Sequence, residues 1–262
     1  MNTASLDLFA DAEGKPRRVR GVAIYSGSTR LAELAARIGF ETVWIEMEHG
    51  PADFSLAESL CQAVEAGGGF ATIRVPDGQR CHVLRALEAG ARIIVIPLIN
   101  NADQARQIVA YGKFPPLGSR GFNTRSRGVE YGLSQITAVF ADANRRTHLF
   151  AQIESTEAVE NLDAICRVDG LAGIFIGPGD LSMSLGCAGN LADQRLVELA
   201  AGCIRRARAA GKHAGILVAP GPLLDAASGA GCDLCFCGGD VTDLVEPWRR
   251  LLASVSATGA GR

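Results

Sequence analysis

Lysine, net positive charge and long apolar runs are all scarce in this chain of 262 residues. Lysine occurs only as Lys15, Lys113 and Lys212. The formal net charge of −2 leaves no basic excess, so nucleic acids and anionic membranes are not expected as partners. No apolar run approaches the ~20 residues that a membrane span needs, and residues 1–18 lack the apolar stretch of a secretion signal. We therefore expect a cytoplasmic protein.

A disulfide framework of the kind found in small secreted proteins is also absent. The eight cysteines are spread over a chain in which hydrophobic residues make up 48%, which favours reduced thiols. Cys232, Cys235 and Cys237 form the closest cluster, and the last two alternate along an apolar run, so they share one face of a strand. We expect buried, structural cysteines. A zinc site is the alternative, but it would need a second pair at finger-like spacing, and the sequence has none.

The sequence does have a regular alternation of short apolar runs with segments of helical period. Eight apolar runs, each rich in Val, Ile, Leu or Phe, predict parallel strands that are buried on both faces. They lie at residues 20–26, 42–47, 70–76, 92–99, 148–154, 173–177, 214–219 and 233–238. The segments of helical period lie at 29–38, 55–66, 79–88, 102–111, 156–166, 193–210, 222–228 and 242–255.

Eight strands, each followed by a helix, predict a (β/α)8 barrel of the TIM type, for which ~250 residues is usual. We expect a single domain over residues 1–262. An open, doubly wound sheet is the alternative. The even spacing of the strands and the lack of a G-x-G-x-x-G motif after the first strand count against it.

One connection, residues 113–132, is longer than the others and carries Arg120, Arg125 and Arg127. Loops of this length inside a compact domain are usually functional. We expect this loop to contact the substrate, alone or with a neighbouring subunit. A mobile surface excursion is the alternative.

Polar side chains stand where four of the predicted strands end. Glu154 ends the fifth strand, Asp180 follows the sixth, Arg74 ends the third, and His49 follows the second. In a parallel barrel these ends meet at one face, where active sites are built. Two carboxylates predict a site for Mg²⁺, completed by water and substrate oxygens. The alternatives are a helix N-cap for Asp180 and plain solvation for Glu154.

Arg74 and His49 have different expected roles at this face. A guanidinium can contact a carboxylate or a developing enolate oxygen, although a structural ion pair is the alternative. His49 is the one histidine with acidic neighbours, Glu46 and Glu48, and a carboxylate partner suits a general acid or base. His148 and His213 begin strands, so we expect structural roles for them at the other face, and His82, which lies in a helical segment, is also expected to be structural.

These residues resemble those of a known family. The stretches W-I-E-M-E-H-G-P, I-R-V-P, P-P-L-G-S-R-G, Q-I-E-S and F-I-G-P-G-D-L-S are similar to the HpcH/HpaI aldolases, metal-dependent (class II) pyruvate aldolases. The resemblance covers nearly the whole chain. It implies a TIM-type barrel with His49 and Arg74 as catalytic residues, Glu154 and Asp180 as metal ligands, and Gln152 beside the metal.

The resemblance carries further implications. The family usually has an aspartate paired with the histidine, and here Glu46 stands in its place. Substrate contacts are expected at Arg74, Gln152, Gly179, Asp180 and Arg120. A hexamer built from dimers that exchange the last helix is also implied. The stripe formed by Trp248, Leu251 and Leu252 in the segment 242–255 is compatible with that exchange.

The leading hypothesis is therefore a metal-dependent aldolase. It would cleave 4-hydroxy-2-oxo acids, such as 4-hydroxy-2-oxoheptanedioate, reversibly to pyruvate and an aldehyde. Mg²⁺ is the expected ion, with Mn²⁺, Co²⁺ or Zn²⁺ as alternatives. None of the three lysines stands at a strand end of this face, which argues against an imine mechanism. Oxaloacetate decarboxylation on the same site is an alternative, and a barrel that only binds or scaffolds is another.

Overall fold

The computed structural model describes residues 8–133 and 135–258, and in it eight parallel strands close into a barrel. Each strand pairs with the next along the chain, and β8 pairs with β1. This confirms the (β/α)8 prediction. The strands are β1 (Val19–Ile24), β2 (Thr42–Glu46), β3 (Phe70–Arg74), β4 (Ile93–Ile96), β5 (His148–Ile153), β6 (Gly173–Ile176), β7 (His213–Leu217) and β8 (Leu234–Gly239).

Eleven α-helices of the described chain surround or extend this barrel. They are α1 (Thr29–Ile38), α2 (Phe54–Ala66), α3 (Arg80–Glu88), α4 (Ala102–Gly112), α5 (Ile136–Arg146), α6 (Thr156–Glu160), α7 (Leu162–Cys166), α8 (Pro178–Ser184), α9 (Gln194–Ala209), α10 (Pro222–Gly229) and α11 (Asp240–Thr258). A 3₁₀ helix spans Arg127–Gly132. Two helices, α5 and α8, were not predicted, and the segment 156–166 forms α6 and α7 instead of one helix.

Side-chain alternation along the strands divides the molecule into two apolar layers. Large residues from alternate strand positions fill the barrel, above all Trp44, Phe150, Phe175 and Phe236. Phe9 closes the end at which the strands begin, where its ring stacks 3.8 Å from that of His213. The opposite strand faces pack against the helices in the larger outer core.

The strands all end at the other opening of the barrel, which we call the mouth. On four of the strands the inward positions nearest the mouth carry polar groups, namely Glu46, Arg74, Gln152 and the phenol of Tyr25. Glu46 and Arg74 are direct neighbours in the β2–β3 register. The fold therefore places a polar layer on top of an apolar barrel.

The long connection 113–132 begins and ends near the end of the barrel away from the mouth, and between these points Gly121 lies beside Arg80 and Leu84 of α3. Lys113 donates to the carbonyl oxygens of Asn144 and Thr147, and Thr147 directly precedes β5. A Cβ on Gly128 would meet the carbonyl oxygen of Leu87, near the end of α3, at 2.1 Å. The role of this loop in contacting the substrate, alone or with a neighbouring subunit, stays a prediction.

The last helix, α11, is covered least. Its apolar residues Val241, Leu244, Val245, Trp248, Leu251, Leu252 and Val255 are all exposed. Among the helices described, none is long and apolar enough to cross a membrane.

The predicted burial of the cysteine cluster holds for Cys232 and Cys235, whereas Cys237 is only partly buried. All eight are free thiols, and Cys232 and Cys235 are buried with their sulfur atoms 3.5 Å apart. Nowhere in residues 8–133 and 135–258 do three or more His, Cys, Asp or Glu side chains gather in a way that could hold a metal.

Candidate active site at the barrel mouth

Glu46 is the centre of the polar layer. The residue is only 1% exposed, and its carboxylate accepts four hydrogen bonds from N–H groups. Oε1 accepts the backbone amides of Glu48 (2.7 Å) and His49 (3.1 Å), while Oε2 accepts Nε1 of Trp44 (3.0 Å) and Nε of Arg74 (2.8 Å). A buried carboxylate satisfied in this way fixes the turn that follows β2.

Arg74 is held between two acids. Its Nη2 lies 2.7 Å from Oε2 of Glu46, and its Nη1 lies 2.9 Å from Oε2 of Glu48. The second contact is an ion pair of poor hydrogen-bond angle, since that oxygen has no hydrogen-bond partner in the described chain. Burial lowers the pKa of Arg74, but hydrogen bonding and attraction to Glu46, with Glu48, outweigh it and raise the pKa. The guanidinium therefore stays charged and oriented.

His49 follows β2 on the turn that Glu46 holds, and its side chain is 67% exposed. The predicted pairing of Glu46 with the imidazole is not what the structure has. The four N–H donors already occupy Glu46, and the acid nearest to Nε2 of His49 is Glu48, at 3.9 Å. Glu46 thus positions His49 through the backbone. Gly50 permits the turn, because a Cβ there would lie 2.6 Å from the carbonyl oxygen of Glu46.

Glu154 stands just past β5 and is 4% exposed. Its Oε1 accepts the backbone N–H of Leu98 at 2.7 Å, and its Oε2 accepts Nε2 of Gln152. Burial and the charge of Asp180 raise the pKa of Glu154, although the two hydrogen bonds oppose them. Leu98 adopts a φ of 57°, a left-handed conformation that non-glycine residues seldom adopt, and this turns its N–H toward the carboxylate.

Asp180 and Gly179 lie in the first turn of α8, beyond β6, and both are exposed. The N-cap position is Gly177, so the alternative of Asp180 as N-cap is wrong. A Cβ on Gly177 would lie 2.8 Å from Oε2 of Glu154, which explains why glycine stands there. Gly179 has nothing within 4 Å of its missing Cβ, so its backbone faces open space.

The donor set at the mouth fits a divalent cation. The charges of Glu46 and Glu154 act on Glu48, the charge of Asp180 acts on Glu154, and the guanidinium of Arg74 acts on both Glu48 and Glu154. Each oxygen of Glu154 keeps a lone pair beyond its hydrogen bond. Two carboxylates without a third protein ligand suit Mg²⁺, which retains water and substrate oxygens.

The predicted residues do not all meet. Seven of them come from the ends of β2, β3, β5 and β6 and converge at the mouth, namely His49, Arg74, Glu46, Glu154, Gln152, Gly179 and Asp180. The structure does not bring Arg120 there. Its side chain is 5% exposed, its guanidinium carbon lies 4.6 Å from the ring centroid of Phe114, and its Nε has no partner among the described residues.

Three features of the site were not predicted from the sequence. They are the position of Tyr25 at the mouth, the role of Glu48 as the acid nearest the imidazole, and the backbone contact of Leu98 with Glu154. Tyr25 follows β1, and the charges of Glu46 and Arg74 act on its phenol. Strand alternation was the available signal, because Ala23 and Tyr25 share the inward face of β1. No local signal marks Leu98, since its role depends on a backbone conformation.

Comparison with known proteins agrees with this architecture. A family model described as HpcH/HpaI aldolase/citrate lyase matches residues 22–229. The 2-keto-3-deoxy-L-rhamnonate aldolase of Klebsiella pneumoniae subsp. pneumoniae is 36% identical over 244 residues, covering 92% of this chain and 90% of that protein.

Two solved structures are similar over nearly the whole chain. An HpcH/HpaI aldolase from Desulfitobacterium hafniense DCB-2 has a TM-score of 0.85 at 26% identity, covering 91% of this chain and 93% of that one. A protein of the HpcH/HpaI aldolase/citrate lyase family from Burkholderia cenocepacia J2315 has a TM-score of 0.83 at 29% identity, with coverage of 92% and 95%. The family model spans most of the chain and the curated relative aligns over most of both proteins, so this chain is an enzyme of the HpcH/HpaI aldolase/citrate lyase family.

Proposed function

We propose that this enzyme is a metal-dependent aldolase that cleaves 4-hydroxy-2-oxo acids reversibly to pyruvate and an aldehyde. The observation that carries the proposal is the mouth itself, where the guanidinium of Arg74 is fixed by Glu46 and Glu48 and acts on Glu154, which also feels the charge of Asp180. Such a site can hold a 2-oxo acid and accept negative charge on its keto oxygen.

Glu154 and Asp180 would hold the divalent ion, for which Mg²⁺ is proposed. When bound, the ion supplies a Lewis acid that polarises the keto group. Arg74 donates to the keto oxygen, and the open backbone at Gly179 leaves room for the substrate carboxylate. The Oε1 of Gln152 is buried without a partner in the described chain, so it can accept a hydrogen bond from a ligand or its water.

His49 takes the proton from the 4-hydroxyl group. The electron pair left on that oxygen forms the aldehyde carbonyl, and the bond between carbons 3 and 4 breaks. Its electron pair moves to carbon 3 and the keto oxygen, and a proton returned to carbon 3 gives pyruvate. The exposure of the imidazole suits exchange of this proton with water.

The lysines leave no route through an imine. Lys113 donates to carbonyl oxygens before β5, and Lys212 donates to those of Val168 and Leu171 before β6. Lys15 is exposed ahead of β1. These are the three lysines of the chain, and each lies away from the mouth. An imine mechanism needs a lysine within reach of the keto carbon.

The substrate class rests on the relatives. A curated relative is named 2-keto-3-deoxy-L-rhamnonate aldolase, and such a sugar acid is itself a 4-hydroxy-2-oxo acid. The test is pyruvate release from a panel of 4-hydroxy-2-oxo acids with Mg²⁺ and after chelation. Release that survives thorough chelation would contradict the proposal. Oxaloacetate decarboxylation without any aldol cleavage would favour the decarboxylase instead.

We also propose that the exposed stripe of α11 packs on another subunit in a hexamer. Seven apolar side chains on this helix are exposed, and Trp248 is 62% exposed. A patch of this kind indicates an interface rather than a solvated surface. Size-exclusion chromatography with light scattering on Trp248→Ser, with Arg249→Ser as a matched neighbour, tests it. Unchanged mass and stability in both variants would contradict it.

A further inference from the structure

Tyr25 is a side chain of the mouth to which the proposed reaction gives no role. It follows directly after Ile24, where β1 ends, and its ring packs on the apolar filling of the barrel. Gly239 makes room for it, because a Cβ there would lie 2.9 Å from Cε2 of the ring. The phenol is thus on the same inward layer as Glu46 and Arg74.

The backbone of Tyr25 is fixed by the seam between β1 and β8. Its N–H donates to Oδ1 of Asp240 at 2.8 Å, and the N–H of Ser26 donates to Oδ2 at 3.2 Å. The β1–β8 register shifts here, and Gly238 has a φ of 87°. Irregularities of this kind re-aim side chains next to active sites. The ring is therefore held in place.

The hydroxyl group of Tyr25 is unused. Within the residues the structure describes, it takes part in no hydrogen bond, whereas both oxygens of Glu46 accept hydrogen bonds and Nε of Arg74 donates one of them. Burial, followed by the charge of Glu46, raises the pKa of Tyr25. The phenol accordingly keeps its proton at neutral pH and can both donate and accept.

The order of strands in the barrel says which part of a substrate would reach this hydroxyl. A 2-oxo acid held at Glu154, Asp180 and Arg74 is anchored over β5, β6 and β3. In a closed ring of eight strands, β1 lies four positions from β5, on the far side of the mouth. His49, the proposed base for the 4-hydroxyl group, follows β2, so we expect the carbons beyond the keto group to extend toward β2 and its neighbour β1.

We propose that Tyr25 is a specificity-determining residue, whose hydroxyl binds a hydroxyl group on the aldehyde half of the substrate. This inference rests on the proposed function and deepens it by naming the residue that would recognise the aldehyde half of the substrate. A site with a polar group placed for a substrate hydroxyl discriminates against analogues that lack the hydroxyl, because the protein group is then left unpaired.

The test uses two uncleavable probes, so that binding is measured apart from lyase activity. 2-Oxohexanoate and 5,6-dihydroxy-2-oxohexanoate both lack the 4-hydroxyl group that aldol cleavage requires. Each is titrated by calorimetry, with Mg²⁺ present, into the full chain, Tyr25→Phe and Tyr111→Phe. Tyr111 is the matched control because its hydroxyl accepts a hydrogen bond from Gln107 on α4, away from the mouth.

We expect Tyr25→Phe to weaken the dihydroxy probe by ~5–30-fold and the plain probe by less than about twofold. Tyr111→Phe should change neither. Equal losses for both probes in Tyr25→Phe, or no loss for either, would overturn the proposal, as would a wild-type chain that binds the two equally. A chain that shows the expected selectivity but cleaves no 4-hydroxy-2-oxo acid would support Tyr25 and reject the aldolase.

Discussion

Replacing Glu46 by Gln should be far more damaging than the same change at Glu48. The carboxylate of Glu46 is buried and accepts four N–H groups, two at each oxygen. A glutamine keeps one oxygen and turns an NH₂ group toward two of these donors. Two hydrogen bonds are lost, donors face donors, and Arg74 loses its main counter-ion.

The size of the effect follows from that count. Each buried donor left unpaired costs about 1–3 kcal/mol, and breaking a buried ion pair costs about 3–5 kcal/mol. Because these overlap, we expect Glu46→Gln to lower the free energy of unfolding by about 3–5 kcal/mol. In a chain of this size this lowers Tm by roughly 6–20 °C.

Glu48→Gln is the control. Its carboxylate is 17% exposed, its Oε2 has the poorly angled contact with Arg74 and the 3.9 Å contact with Nε2 of His49, and burial raises its pKa with help from neighbouring acids. A neutral amide there should cost about 1 kcal/mol or less. Thermal unfolding by circular dichroism and steady-state kinetics measure both variants. If Glu48→Gln proved as destabilising as Glu46→Gln, the network described here would be wrong.

Four further predictions test other parts of the structure. Glu154→Gln should weaken Mn²⁺ binding by calorimetry while Tm without metal stays within a few degrees, and unchanged affinity would remove it as a ligand. His49→Ala should slow aldol cleavage by ~10²–10⁴-fold, and an equal loss in oxaloacetate decarboxylation would refute its role as base. Burial, with the charge of Lys113 nearby, lowers the pKa of His148 to about 3. The stability of the fold that depends on a neutral His148 is therefore fully present above the unfolded pKa of ~6.5 and is lost as the pH falls toward 3. His148→Phe should remove up to ~5 kcal/mol of that acid sensitivity in denaturant titrations, and an unaltered pH profile would contradict this. Arg120→Ala should lower the unfolding free energy by ~1–3 kcal/mol through lost packing on Phe114 while the exposed Arg125→Ala changes it little, and equal effects would disprove the burial argument.

The strands were predictable because each is a buried apolar run. Their bounds differ from the prediction by at most three residues, mostly at the mouth. Val75 and Ile99 explain the differences, since both are buried against the helices although the strands before them have ended. An apolar run in the sequence indicates which residues are buried. The end of a strand is set instead by the last backbone hydrogen bond to the neighbouring strand.

The site was predictable in its residue types but not in its pairing. Strand-end position identified His49, Arg74, Glu154 and Asp180 as neighbours. Which acid serves the imidazole depends on how many donors Glu46 has to satisfy, and two of those are backbone amides that no sequence pattern displays. Trp44 supplies a third N–H donor to Glu46, but its place in the sequence pattern indicates only a core residue.

The loop 113–132 shows why charge alone does not locate the residues that contact a substrate. Three arginines beside an anionic substrate are plausible by charge, but α4 leads the chain from the mouth to the opposite end, where β5 has to begin. The described contacts of the connection between them are with the outer helices and with the segment that precedes β5. The guanidinium of Arg120 accordingly packs on Phe114, and that of Arg127 pairs with Glu65 of α2. For discrimination among aldehydes within one chain we therefore propose residues at the strand ends, and Tyr25, whose hydroxyl makes no hydrogen bond in the described chain, has an inward position across the barrel from β5.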